Sequence, residues 1–169
     1  MTEWLLVLAA VALTAGTALF VTAEFSLVAL DRPTVQQAVD DGDLRAATVL
    51  RSLRQLSTQL SAAQVGITLT TLIVGYLAEP SIGRLLYAPL TAVGLSDSMA
   101  TSVATTLALF LITVFSMVFG ELMSQFLGIS APLAAAKVVA GPVRAFAILA
   151  RPLVAILNGS ANAALRAMG

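Results

Sequence analysis

Residues 4–23, WLLVLAAVALTAGTALFVTA, contain no ionisable side chain. A helix over that run is long enough to cross a hydrocarbon core of ~30 Å. Two further apolar runs follow, over 55–78 and 99–123, and the last carries one charge, Glu121. In lipid the backbone can satisfy its polar groups only within a helix or a closed barrel. Three such runs therefore predict an all-α membrane protein. A cleaved signal peptide is the weaker reading of the first run, because Met1-Thr2-Glu3 lacks a basic residue and the apolar stretch is too long.

Composition supports this and excludes several functions. Charged residues make up 11 % of the chain, against roughly 25 % in soluble domains. Nine basic residues balance nine acidic ones, so no bulk charge points to nucleic acid. Cys and His are both absent, which removes disulfides, thiolate metal sites and the usual general base. There is no Gly-rich phosphate loop and no HExxH, so an enzyme is not expected. Any metal bound here would be a hard, oxygen-seeking one.

The predicted architecture is three transmembrane helices, about 4–30, 55–78 and 99–123, with interfacial helices about 33–54 and 131–168. Pro33 suits a first helical turn, and Asp40-Asp41-Gly42-Asp43 reads as a break between two short helices. The second crossing is expected to end at Glu79-Pro80, followed by a short excursion over 81–98. Pro132, Gly141-Pro142 and Pro152 are expected to cut the C-terminal part into short pieces. A fourth crossing there would carry Arg144 and Arg151 through hydrocarbon, at roughly 2.5–3.5 kcal/mol each, so amphipathic helices in the interface are preferred. Basic residues number none before the first run, four in 31–54, one in 81–98 and four after the third run. The positive-inside rule then places the N-terminus outside and the C-terminus in the cytoplasm.

Polar residues inside these runs are few and aligned. Ser57, Ser61, Gln64, Thr68, Thr71 and Gly75 follow one another at steps of three or four, which keeps them on one helix face. Thr113, Ser116 and Gly120 form a second seam, with Glu121 one residue further round. Small residues also line ordinary membrane helix contacts, so packing alone is the bland explanation of either seam. Glu121 and Glu24 are harder to explain that way, because an intramembrane carboxylate is costly and functional by default. Together Glu121, Ser116, Thr68, Thr71, Gln64 and the Gly120 carbonyl offer the oxygen set that magnesium or calcium takes. By depth alone, Glu121 should face Ser61, Gln64 and Thr68 more readily than Thr71. Thr22 and Ser26 lie roughly opposite Glu24 on the first helix.

Four blocks in order, FVTAEFSLVAL, LSAAQVGITLTTLIVGYLAEP, VFGEL and AGPVRAFAILARPLVAILNGSANAALRAMG, resemble the transmembrane domain of the cyclin M (CNNM)/CorC magnesium transporters. The likeness is strongest to the bacterial branch that includes magnesium efflux factors. It implies a homodimer in the cell membrane, exporting Mg2+ or a similar divalent cation, with Na+ as a coupling ion. It also implies cytosolic CBS domains on a longer parent chain. The implied site draws on a Ser of the first helix, polar residues of the second and the Gly-Glu of the third. Gly120 and Glu121 match that pattern. The first-helix Ser is Val21 here, with Thr22 as the neighbouring hydroxyl, and the second-helix Asn is Thr71. Glu24 and Ser26 are the candidates for orienting the site or serving a coupling ion. The family's Gly-Glu-Leu-x-Pro-Lys becomes Gly-Glu-Leu-Met123-Ser124-Gln125, which keeps open an alternative: a non-transporting membrane partner with the same fold.

Overall fold

The structure, a computed structural model, describes residues 2–168, and every regular element in them is helical. In chain order these are α1 (Thr2–Ala29), α2 (Arg32–Asp40), α3 (Leu44–Arg54), α4 (Leu56–Ala92), α5 (Asp97–Phe115), a π-helical turn (Ser116–Leu122), α6 (Met123–Ser130), α7 (Pro132–Leu149) and α8 (Arg151–Met168). Four helical stretches are long and apolar enough to cross a membrane: Thr2–Ala29, Leu56–Ala92, Asp97–Ser130 and Pro132–Leu149. This is a membrane protein by the length and apolarity of its helices.

The chain divides into two units. The first takes α1 up to residue 18 together with residues 68–123. Its core is small: Ala10, Val74, Ala78 and Ile112 pack together with Leu13, Ile82 and Phe115 around them. One edge of the third long helix is buried at steps of four, through Ala100, Ala104, Ala108, Ile112, Ser116 and Gly120. Alanine at these positions lets helices approach without side-chain entropy to lose.

Within this unit α4 does not stop at Pro80, as its sequence suggests, but runs through Pro80 and Pro89 to Ala92. Proline removes one backbone donor and crowds the preceding turn. Neighbouring helices make this tolerable in membrane proteins. Two contacts fasten the extension: Arg84 meets Glu3 at 2.8 Å, and the Tyr87 hydroxyl donates to Asp97 at 2.9 Å. The excursion of 81–98 is thereby reduced to the turn between Ala92 and Asp97, where Gly94 takes a φ of +93°.

The second unit comprises residues 19–67 and the chain from 124 onward. The connector is two helices, as expected, with Gly42 at a φ of +91° in the break between them. Asp31 caps α2 by accepting from the Thr34 amide, and Asp43 caps α3 by accepting from the Arg45 and Ala46 amides. Leu27, Val35, Val49, Leu50 and Leu53 form a core with Ala136 and Ala140, so α7 lies against the connector. Phe20, Ala23, Ala63, Val139 and Val143 form a second cluster.

The expected cut at Gly141-Pro142 is absent: α7 continues through Pro142 as one helix to Leu149. The division before Pro152 does occur, between Leu149 and Arg151. The third long helix also outruns its expected end at 123, continuing as α6 to Ser130. Its last turns pack backbone to backbone on α1. A Cβ built on Gly128 would stand 3.1 Å from both the Ser26 amide nitrogen and the Thr22 carbonyl oxygen.

Asp43 joins two elements, because its second carboxylate oxygen meets Lys137 of α7 at 2.9 Å. The Lys137 hydrogen bond, with the Ala46 amide next, holds its carboxyl below the usual aspartate range. A lowered folded-state pKa contributes stability above the ordinary value of about 3.9, and that stability is lost as pH falls through the folded value. Asp43→Asn keeps the cap acceptor and removes the charge. Its melting temperature is expected to fall less steeply than the wild type's on acidification below about pH 4. Identical acid profiles for the two proteins would show that the pair contributes nothing.

Candidate functional site

The π-helical turn is the local feature from which the site is built. A stripe at steps of four drifts about 40° per step around an α-helix of 3.6 residues per turn. A looser turn with i→i+5 bonds counters that drift, and such turns recur at functional sites. Here the Met123 amide reaches back to the Val118 carbonyl, and the Ser116 amide is shared between the Ile112 and Thr113 carbonyls. The turn lets Gly120 stay buried on the α1 side while Glu121 projects outward.

Gly120 is there for its missing side chain. A Cβ would stand 3.3 Å from the Thr14 methyl and 3.6 Å from Thr17 Cβ. Beside it the Thr17 and Thr70 hydroxyls meet at 2.7 Å, a polar contact that sequence reasoning did not identify.

Next to this contact zone a groove of about 260 Å³ opens between α4 and the third long helix. Its walls are Thr71, Val74 and Gly75 on one side and Ile112, Thr113, Ser116, Met117 and Glu121 on the other. One carboxylate and three hydroxyls therefore converge on one cavity. The Ser116 hydroxyl is buried and has no hydrogen-bond partner. That is unusual in this chain, where helical Ser and Thr side chains commonly bond the carbonyl one turn back. Thr14 to Ala10 at 2.9 Å and Ser81 to Leu77 at 2.8 Å are examples. A buried hydroxyl without a partner costs about 1–3 kcal/mol, a cost that a water or an ion bound beside Ser116 would remove.

The other candidate residues are distributed differently. Thr71 lies on the groove with Glu121, whereas Thr68 is exposed and not part of its lining. The depth argument had favoured Thr68; it took Glu121 to lie near the end of the third long helix, which instead continues to Ser130. Ser61 and Gln64 belong to the second unit, where Ser61 donates to Asn158 of α8 at 3.0 Å and Gln64 is exposed. Thr22 is buried there and donates to the Ser124 carbonyl at 3.4 Å. Ser26 donates to the Ala23 carbonyl at 3.3 Å, and Glu24 is half-buried. Among the described residues, no group of three or more acidic, His or Cys side chains could hold a metal. Cation binding here would rest on one carboxylate and neutral oxygens.

Comparison with known proteins identifies the family. The family model described as "Cyclin M transmembrane N-terminal domain" matches residues 8–169. The chain is 48 % identical over 164 residues to the UPF0053 protein MT1890 of Mycobacterium tuberculosis, covering 96 % of this chain and 36 % of that protein. It is 40 % identical over 150 residues to the UPF0053 protein YhdT of Bacillus subtilis, covering 89 % of this chain and 32 % of the relative. The chain spans about a third of the length of these relatives.

Proposed function

The chain belongs to the cyclin M transmembrane N-terminal domain family, and on that premise we propose that it is a membrane transport module for magnesium or a similar hard divalent cation. The observation that carries this reading is the buried, unpartnered Ser116 hydroxyl on the groove that Glu121 and Thr71 share. In this reading Glu121 is the charged ligand, and Ser116, Thr71 and Thr113 replace part of the hydration shell. The Gly120 carbonyl is a further candidate ligand.

Magnesium keeps several of its waters and binds through one or two carboxylates rather than an all-protein cage. A water occupies ~30 Å³, so six need roughly 180 Å³. The groove of about 260 Å³ has room for a partly hydrated ion. Calcium prefers more direct oxygen ligands than the groove provides.

Three crossings fit this function best, made by α1, α4 and the helix from Asp97 to Ser130. Helix α7 is apolar enough to cross, but its Lys137 is paired with the polar connector at Asp43. We place α7 with α8 in a belt beside the membrane, with the N-terminus outside and the C-terminus in the cytoplasm. Export, sodium coupling, a homodimeric assembly and regulation by cytosolic CBS domains complete the proposal.

Two measurements test it. Preferential binding to the native state raises the melting temperature, so millimolar Mg2+ is expected to stabilise the purified protein. In proteoliposomes the wild type should carry Mg2+ down its gradient. A protein that neither responds to Mg2+ nor carries it would instead be a membrane partner without transport.

A further inference from the structure

A second polar cavity, of about 340 Å³, lies in the first unit between the same two helices. Its lining includes Glu79, Arg84 and Tyr87 from α4 with Thr101 and Thr105 from α5. Its register is informative. Glu79 lies eight residues beyond Thr71 on α4, and Thr105 lies eight before Thr113 on α5. At 1.5 Å per residue both helices place this cavity ~12 Å along from the Glu121 groove. Thr71, Gly75 and Glu79 follow one another at steps of four on one face of α4. Around Gly75 there is open space: nothing lies within 4 Å of where its Cβ would be.

The charge balance of this cavity favours a cation. Arg84 is engaged by Glu3 at 2.8 Å. The Tyr87 hydroxyl donates to Asp97 at 2.9 Å, and the Thr101 hydroxyl donates to the Asp97 carbonyl at 2.8 Å. A hydroxyl that gives its proton away keeps its lone pairs for another partner. Glu79 has no hydrogen bond or ion pair among the described residues. The cavity therefore presents oxygen lone pairs and one carboxylate without a countercharge, while its single guanidinium is already neutralised. Arg84 keeps unused donors, but Glu3 balances its charge, so the uncompensated charge of the lining is that of Glu79.

We propose that Glu79, with the Tyr87, Thr101 and Thr105 oxygens, forms a second binding site for a hydrated hard cation, two helical turns along the same α4–α5 face from Glu121. As a station for the transported ion it rests on the transport reading above. As a binding site it is testable without any flux.

The test uses Tb3+, a hard oxygen-seeking ion whose emission is sensitised by a nearby tyrosine. It is titrated into the purified full chain and displaced with Mg2+. Glu79→Gln is expected to weaken the Tyr-sensitised binding about tenfold or more. Tyr87→Phe removes both the sensitiser and one ligand oxygen, so it should lower the emission and weaken the binding that remains severalfold. Glu121→Gln should leave the Tyr87 signal in place, whether or not the protein transports. Helix content and melting temperature confirm that each variant is folded. Undiminished affinity in a folded Glu79→Gln protein would overturn the proposal, and so would equal loss of the Tyr87 signal in Glu121→Gln. Loss of flux in every variant and the wild type, with the Glu79-dependent signal intact, would refute transport and leave this site standing.

Discussion

Glu121→Gln is expected to reduce Mg2+ flux by up to about 100-fold while leaving the protein folded. Glutamine preserves the size of the side chain and one oxygen, so the change isolates the charge. Glu121 is the only carboxylate on its groove, and it is exposed rather than held by a partner within the fold. Losing a charge-assisted contact costs up to about 3 kcal/mol, which is roughly 100-fold in affinity. The companion change, Ser116→Ala, separates function from stability in sign. Removing a buried hydroxyl without a partner relieves a penalty of about 1–3 kcal/mol. The metal-free variant should therefore melt at or above the wild-type temperature. Its stabilisation by Mg2+ should shrink, because a ligand oxygen has gone. Ser116→Ala melting well below wild type would show that the hydroxyl serves the fold, and the site assignment would lose its main support. Wild-type flux from Glu121→Gln would dismiss the groove altogether.

The parts of this molecule that could be read in the sequence are those on which lipid imposes a rule. A run of apolar residues without charge has few folded alternatives to a helix, so α1 and the cores of α4 and the third long helix were legible. Glu121 was legible for the same reason, since an uncompensated carboxylate in such a run is costly. The ends of the helices were not legible, because Pro80, Pro89 and Pro142 would be strong stop signals in a soluble protein and are tolerated here. The π turn left no mark: Ser-Met-Val-Phe-Gly-Glu-Leu has no composition that distinguishes it from an α-helical stretch. The exchange of Thr68 for Thr71 follows from the misjudged helix end, because a depth argument depends on where the helix stops, and this one runs on to Ser130. The departure at Ser124 also becomes interpretable. Ser124 is buried, its carbonyl accepts from Thr22, and it falls between Gly120 and Gly128 on a closely packed edge. A small residue satisfies that packing.

Two glycines nine residues apart on α4 should respond in opposite ways, and the contrast distinguishes packing from passage. At Gly66 an added Cβ would stand 2.6 Å from the Phe20 ring. That ring is buried and meets Phe146 edge-on at a centroid distance of 4.8 Å, so it cannot turn aside freely. Overpacking costs about 1–3 kcal/mol, against a gain of about 1 kcal/mol from replacing a helical glycine with alanine. The Gly66→Ala protein should therefore melt lower, at roughly 2–4 °C per kcal/mol for a chain of this size. At Gly75 nothing lies within 4 Å of the added atom, so alanine should be neutral or stabilising. A larger apolar residue there adds bulk to the groove wall beside Thr71 and reaches toward Ser116. Gly75→Leu is expected to keep the wild-type melting temperature in metal-free buffer, to lose most of its stabilisation by Mg2+ and to reduce flux at least about tenfold, since each 1.4 kcal/mol of lost binding is a factor of ten. Full flux through a stably folded Gly75→Leu protein would mean that the ion does not use this face of α4. Equal destabilisation by Gly66→Ala and Gly75→Leu would mean that both glycines serve only to bring helices together.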